Sequence, residues 1–244
     1  MTHQTHILLM SAAVLLALAL VASKATDTNV LATSGKCEHV EAKEQCFADR
    51  IEEAYAARGL TSAFDLIAAL FSRDEEFAAN CHGNAHALGA LAYSDFKRGI
   101  PLDFSAKASY CGYGFYHGFM EALLQDGGNA REGRELCEHL GTRFYAQSVD
   151  VSGACYHGIG HGSVDGSDPR VWGDPEAMIA ESLALCEEVT AGLSPSVEEK
   201  GPLYRCVTGA YNSLEILSHA PKYGLATLEK DPFAFCATPV PALN

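Results

Sequence analysis

The chain contains nine cysteines but no Cys-x-x-Cys pair and no Cys-x-x-Cys-His run. That excludes the common zinc-ribbon, iron–sulfur and covalent haem arrangements. Cationic residues are scarce, 17 Lys and Arg against 31 Asp and Glu, for a net charge of −14. Nucleic-acid binding needs clustered positive charge, so nucleic acid is excluded as a partner and anionic membrane surfaces are disfavoured. There is no Gly-x-Ser-x-Gly elbow and no phosphate-cradling Gly-x-x-x-x-Gly-Lys. His-Glu-x-x-His is also missing, so no standard metalloprotease helix is present. No run of alternating Val, Ile and Thr supports a sheet. No stretch beyond the N-terminal region is long enough to span a bilayer.

That N-terminal region, Ile7 to Ala22, is an unbroken run of apolar and small residues, followed by the small-x-small triplet Ser23-Lys24-Ala25. It reads as a secretory signal peptide over residues 1–25. An uncleaved membrane anchor through residues 7–22 is the alternative, and only then is a membrane a partner. Residues 26–40 read as a linker, 41–236 as one helical domain and 237–244 as a tail. All nine cysteines follow the signal, so an oxidising, extracytoplasmic compartment and structural disulfides are expected. Two pairing schemes fit the spacing. One is Cys46–Cys81, Cys111–Cys137, Cys155–Cys186 and Cys206–Cys236. The other joins Cys46, Cys137 and Cys186 each to the copied segment that follows it. Cys37 is the expected free thiol.

What is present is a repeated motif. Cys111 to Gly118 and Cys155 to Gly162 both read Cys-x-x-Gly-x-x-His-Gly, Cys206 to Ser213 keeps the cysteine and glycine, and Asn80 to Ala87 keeps the glycine and histidine. Equivalent residues of copied units occupy equivalent places. The copies stack into tiers: His82, Tyr113, His157 and Thr208; then His86, His117, His161 and Asn212; then Ala90, Glu121, Asp165 and Ile216. Residues four apart share a helix face, so that face carries imidazoles and then carboxylates.

Between the copies lie amphipathic segments. Glu41 to Arg58 presents Phe47, Ile51 and Tyr55 and stops at Gly59. Thr61 or Ser62 is placed to cap a segment carrying Phe64, Ile67, Leu70 and Phe71. Ala130 to Gln147 turns Leu136, Leu140 and Phe144 inward. Asp174-Pro175-Glu176 opens a helix with Met178, Ile179, Leu183, Cys186 and Val189 inward. Outer amphipathic helices alternating with buried Gly-rich inner ones predict an all-α fold. The expected form is an α/α helical repeat, a superhelix or partly closed toroid, stapled by disulfides.

The candidate metal ligands are His82, His86, His117, His157 and His161. Zinc is the default for imidazole-rich sites, and copper and iron share the preference. Glu121, one turn after His117, is the candidate catalytic carboxylate, able to ligate, act as a base or orient an imidazole. The expected function is an extracytoplasmic helical-repeat protein with a His-rich metal site, a metal-dependent enzyme of unspecified reaction. The alternative is a disulfide-stapled scaffold that binds a protein partner without metal or catalysis.

The triplet Cys81-His82-Gly83 and the runs Gly114 to Gly118 and Gly158 to Gly162 resemble the lanthionine cyclases. Those are α/α toroids with repeated Gly-x-x-His-Gly on inner helices and a zinc held by Cys and His. The resemblance covers a few dozen residues of a much shorter chain. The other cysteine motif of those enzymes has no counterpart before Cys81, so the resemblance implies a toroid and carries over no residue role.

Overall fold

The computed structural model describes Cys37 and residues 42–145, 150–193 and 200–225. The signal segment, the tail, most of the linker and Cys236 lie outside the described residues. All regular structure among the described residues is helical: eight α-helices and two short 3-10 turns. The chain divides into two compact units, one ending at Ala78 and one beginning at Ala79.

In the first unit, α1 (Lys43–Arg58) and α2 (Leu60–Phe71) are separated by Gly59 alone. Gly59 has φ +79°, a conformation that costs glycine nothing, and it is itself the N-cap of α2. Thr61 and Ser62 therefore lie already inside the helix and neither caps it, contrary to expectation. Phe47, Ile51, Phe64, Ile67 and Leu70 are buried as expected, but Phe71 is 48% exposed. It stands one residue past Leu70, about 100° further round the helix and off the buried stripe. α3 (Glu75–Lys97) starts in this unit and continues into the second.

The second unit holds the rest of α3, then α4 (Gly114–Gln125), α5 (Ala130–Phe144), α6 (Val151–Ser163), α7 (Pro175–Val189) and α8 (Pro202–Ser218). The four sequence copies fall on α3, α4, α6 and α8. These helices touch in chain order, and glycine sets the distance. A Cβ on Gly114 or Gly118 would overlap the His82 or His86 carbonyl. One on Gly158 would reach the Tyr116 carbonyl, and one on Gly162 the backbone of Glu121. One on Gly209 would overlap the His157 carbonyl, and one on Gly160 the Cys206 carbonyl. Between α3 and α4 and between α4 and α6 the glycine contacts advance in the same direction along both helices, and between α6 and α8 so do the His157–Thr208 and His161–Ser213 hydrogen bonds, so the four run parallel.

The other two helices return the chain. Gly133 meets Ile159 and Gly141 meets Ser152, so α5 runs antiparallel to α6. In α7, Met178 and Ile179 share a cluster with Ala210 and Leu214 of α8, while Cys186 bonds Cys206, the same reversal. Their starts follow local rules. Asn129 and Glu132 form a capping box on α5, and Asp174 caps α7 by accepting from Ala177 N at 3.1 Å, with Pro175 in the first turn. Of the residues assigned inward, Leu140, Phe144, Met178, Ile179, Cys186 and Val189 are buried.

α4 starts unusually. Cys111, Gly112 and Tyr113 all have positive φ, 58°, 62° and 62°. Two of the three are not glycine, and this left-handed turn costs roughly 1–2 kcal/mol for each such residue. The disulfide from Cys81 and a hydrogen bond from His82 Nδ1 to the Cys111 carbonyl at 2.9 Å hold it in place.

Four disulfides join Cys37–Cys46, Cys81–Cys111, Cys137–Cys155 and Cys186–Cys206. Two of these are the outer-to-inner staples of the second scheme. Cys37 is bonded rather than free, and Cys46 pairs with it rather than with Cys81. Cys81 and Cys111 join two copies directly, because the glycine contacts bring α3 and the lead-in to α4 side by side. The three longer bridges span 18 to 30 residues and contribute roughly 3–4 kcal/mol apiece in the chain-entropy view. They suggest an oxidising, extracytoplasmic location. No described helix is long and apolar enough to cross a membrane.

Two measurements check this packing. Gly209→Ala and Gly160→Ala are expected to lose roughly 1–3 kcal/mol in urea unfolding through overpacking. Gly83→Ala, on the same inner set but with nothing within 4 Å of its Cβ, is expected to gain up to about 1 kcal/mol. Alkylation of non-reduced protein is expected to label at most one thiol per chain, and two or more would contradict the four bridges.

Candidate metal centre

The histidines meet, but not in the tiers that the aligned motifs define. Between α3 and α4, and again between α6 and α8, the glycine contacts keep the motif register. Between α4 and α6 they do not: Gly158 lies at Tyr116 and His117, and Gly162 lies at Glu121. α6 is thus displaced by about one turn against α4. His157 comes level with His117, and His161 comes level with Glu121.

Two layers result. In the first, Glu121 Oε2 is 2.9 Å from His86 Nε2 and 3.8 Å from His161 Nδ1. A ligand atom from each of these three residues lies within 4.8 Å of the others, close enough together to hold a metal ion. His161 Nδ1 is buried and has no hydrogen-bond partner. Glu121 keeps 29% of its side chain exposed and borders a cleft of about 940 Å³. Its carboxyl is held below the usual range, first by the hydrogen bond with His86 and against the opposing effect of burial.

The second layer is a hydrogen-bonded network. His82 Nδ1–H donates to the Cys111 carbonyl, leaving His82 Nε2 to accept from His117 Nδ1–H at 3.3 Å. On the other side Thr208 donates its hydroxyl proton to the Arg205 carbonyl at 2.8 Å, so its oxygen accepts from His157 Nδ1–H at 3.2 Å. Each chain ends on a main-chain carbonyl, which can only accept, and that fixes the tautomer of every ring behind it. His117 packs between the others, its ring centre 4.7 Å from His157, 5.1 Å from His82 and 5.6 Å from His161. Burial, then the neighbouring His157, pushes His117 down to about 2. Burial, then His161, brings His157 to about 4. Burial lowers His82 and His161 as well. These rings are neutral at ordinary pH. His117 and His157 also border a smaller cavity of about 260 Å³ with Tyr113, Asp150 and Arg205.

Of the six residues singled out by sequence, the structure thus brings His86, His161 and Glu121 to one point and places His82, His117 and His157 beside them. Asp165 leaves the tier, because α6 ends at Ser163 and the Asp165 carboxylate turns to Ser167 N at 2.7 Å. Asn212 is exposed. Cys81, the cysteine of the Cys-His-Gly triplet, is consumed by its disulfide and offers no thiolate. Sequence reasoning missed the roles of Thr208 and the Cys111 carbonyl and the Trp172 and Tyr223 rings that line the cleft. Thr208 stood in the histidine tier and could have been found by asking what His157 bonds to. No family model matches the chain, and no curated protein or solved structure matches it either.

The sign of the acid response follows from the buried imidazoles. Their folded values lie below the ordinary 6.5, so under pH 6.5 the unfolded chain takes up protons that the folded one refuses. In metal-free protein the stability is expected to be whole above pH 6.5. It should fall as pH drops to about 4 through His157, and on towards about 2 through His117. Urea midpoints in chelator between pH 7.5 and 4.5 check this, and His157→Gln should flatten the slope. A level wild-type profile would contradict neutral burial.

Proposed function

We propose that the protein is an extracytoplasmic metal-dependent hydrolase holding one zinc ion on His86, Glu121 and His161. The observation that carries this reading is the convergence of three ligand atoms around a buried, unpartnered His161 Nδ1. A polar atom buried without a partner costs free energy, and a cation at the shared point removes that cost. The spacing suits zinc. Bonds of ~2.0–2.1 Å at the tetrahedral angle set ligand atoms about 3.3 Å apart. The observed 2.9 and 3.8 Å lie on either side of that value. Two imidazoles and one carboxylate form the ligand set that hydrolytic zinc sites use, with a fourth position left for water. Such an ion supplies a water acidified to near neutrality and an electrophile for the scissile group.

The residues of the chain then divide the work. Glu121 ligates from the cleft wall. His117, His82 and His157 form the polar packing behind the ligands and are not ligands themselves. α3, α4, α6 and α8 are the inner helices of an α/α superhelix or partly closed toroid, a reading supported by their parallel glycine contacts and the antiparallel return of α5 and α7. Residues 1–25 are the secretory signal.

Protein expressed in metal-replete medium without a His-tag is expected to carry about one zinc per chain by elemental analysis. His86→Ala, Glu121→Ala and His161→Ala should each drop this towards zero, while His157→Ala keeps it. Less than a tenth of any metal per chain in the wild type would overturn the proposal. One copper or iron in zinc's place would keep the site and change the ion.

A further inference from the structure

The cleft beside Glu121 holds more than a metal centre needs. Its volume, about 940 Å³, is at the upper end of what buries a drug-sized ligand. Its wall carries the only tryptophan of the chain. Trp172 is 38% exposed, yet it is fixed in place. Its Nε1–H donates to the Gly166 carbonyl at 3.0 Å, and its ring meets Tyr223 edge-on at 5.5 Å and 83°. Tyr223 is wedged in turn. The Lys222 ammonium lies 4.6 Å over its ring, Gly166 packs so closely that a Cβ there would come within 3.0 Å of its hydroxyl, and its carbonyl accepts from Gly173 N at 2.8 Å. An apolar ring held rigid and left in contact with water gains from being covered, and a pre-ordered ring covers a ligand at little entropic cost.

Charge and hydrogen-bonding type narrow the ligand. Among the described residues, the charged side chains of the wall are Glu121, Asp165, Glu181 and Lys222. A divalent ion and Lys222 bring three positive charges against these three carboxylates, so the described charges of the loaded cleft balance. An ionic ligand would shed its water here without an unpaired partner to receive it. The carboxylates are acceptors only, so the complementary ligand is rich in donors. Neutral, donor-rich and presenting an apolar face for stacking is the chemistry of a pyranose: C–H groups on one face, hydroxyls at the edge.

We infer that the cleft walled by Trp172, Tyr223, Glu181 and Glu121 binds a neutral oligosaccharide, with Trp172 as its stacking platform. The charge balance rests on the proposed metal site; the platform does not. Because the chain has one tryptophan, its fluorescence reports this site alone. Full-length zinc-loaded protein is titrated with neutral trisaccharides, N-acetylchitotriose and cellotriose, and with the cationic glucosamine and anionic galacturonate trimers. A neutral trimer is expected to shift Trp172 emission with a Kd below about 1 mM, and both charged trimers to bind at least about tenfold more weakly. In calorimetry Trp172→Ala should lose at least about tenfold in affinity while keeping its zinc and its helical circular dichroism. Binding of neither neutral trimer, or tighter binding of a charged one, would overturn the inference and leave the metal reading standing. Neutral-trimer binding by protein that takes up no metal would sustain the glycan site and fail the hydrolase.

Discussion

Backbone contact between parallel helices is the constraint from which the rest of this structure follows. Glycine at Gly114, Gly118, Gly158, Gly162 and Gly209 lets each inner helix rest on the main chain of the previous one. Glycine in a helix costs about 1 kcal/mol against alanine. A chain that repeats it must recover that cost in contact. At this separation side chains cannot fit between the helices. They must leave at the edge of each interface, and the histidines leave together. The cluster of five imidazoles is a consequence of how closely the backbones approach.

Placing that many imidazoles in one interior is costly, and the surroundings show how the cost is contained. None of the four rings with depressed values needs to hold a proton. Carbonyl acceptors at Cys111 and Arg205 absorb the Nδ1 hydrogens through short chains. The disulfides act on the other side of the balance, restricting the unfolded chain around these same helices. Cys81–Cys111 does both. It ties α3 to the lead-in of α4 and keeps the left-handed turn that aims the Cys111 carbonyl at His82.

Much of this was legible in the sequence where local chemistry decides. Asp174-Pro175-Glu176 reads directly as a helix start, the spacing of Phe47 and Ile51 as a buried stripe, and the recurring Gly-x-x-His as a shared face. The failures have both near and distant causes. Thr61 and Ser62 are good caps, but Gly59 takes the cap position two residues before Thr61 and three before Ser62. Asp165 holds the same motif position as Glu121, but α6 has ended before it. The pairing of Cys37 with Cys46 depends on a short closure that the longer copy-to-copy spacing obscured. Most instructive is the slip between α4 and α6. Motif alignment assumes one register at every interface, and nothing in residue type reveals that Tyr113 lies in a left-handed turn where His157 lies in a helix.

That slip decides what kind of site the chain can make. In the aligned register His86, His117 and His161 would form one tier, and Glu121 would sit a turn below with Asp165. Three imidazoles would then face one point with no carboxylate among them. Moving α6 by one turn exchanges His117 for Glu121 opposite His161. It also retires His117 to a position where burial keeps it neutral and His82 keeps it oriented. The carboxylate brought in is also the residue that borders the cleft, so the same displacement that completes the ligand set opens it to solvent. The left-handed turn at Cys111 to Tyr113 delays the start of α4 to Gly114, whereas α6 is helical from Val151. The register of one helix pair is thus what sets Glu121, rather than His117, in the group with His86 and His161.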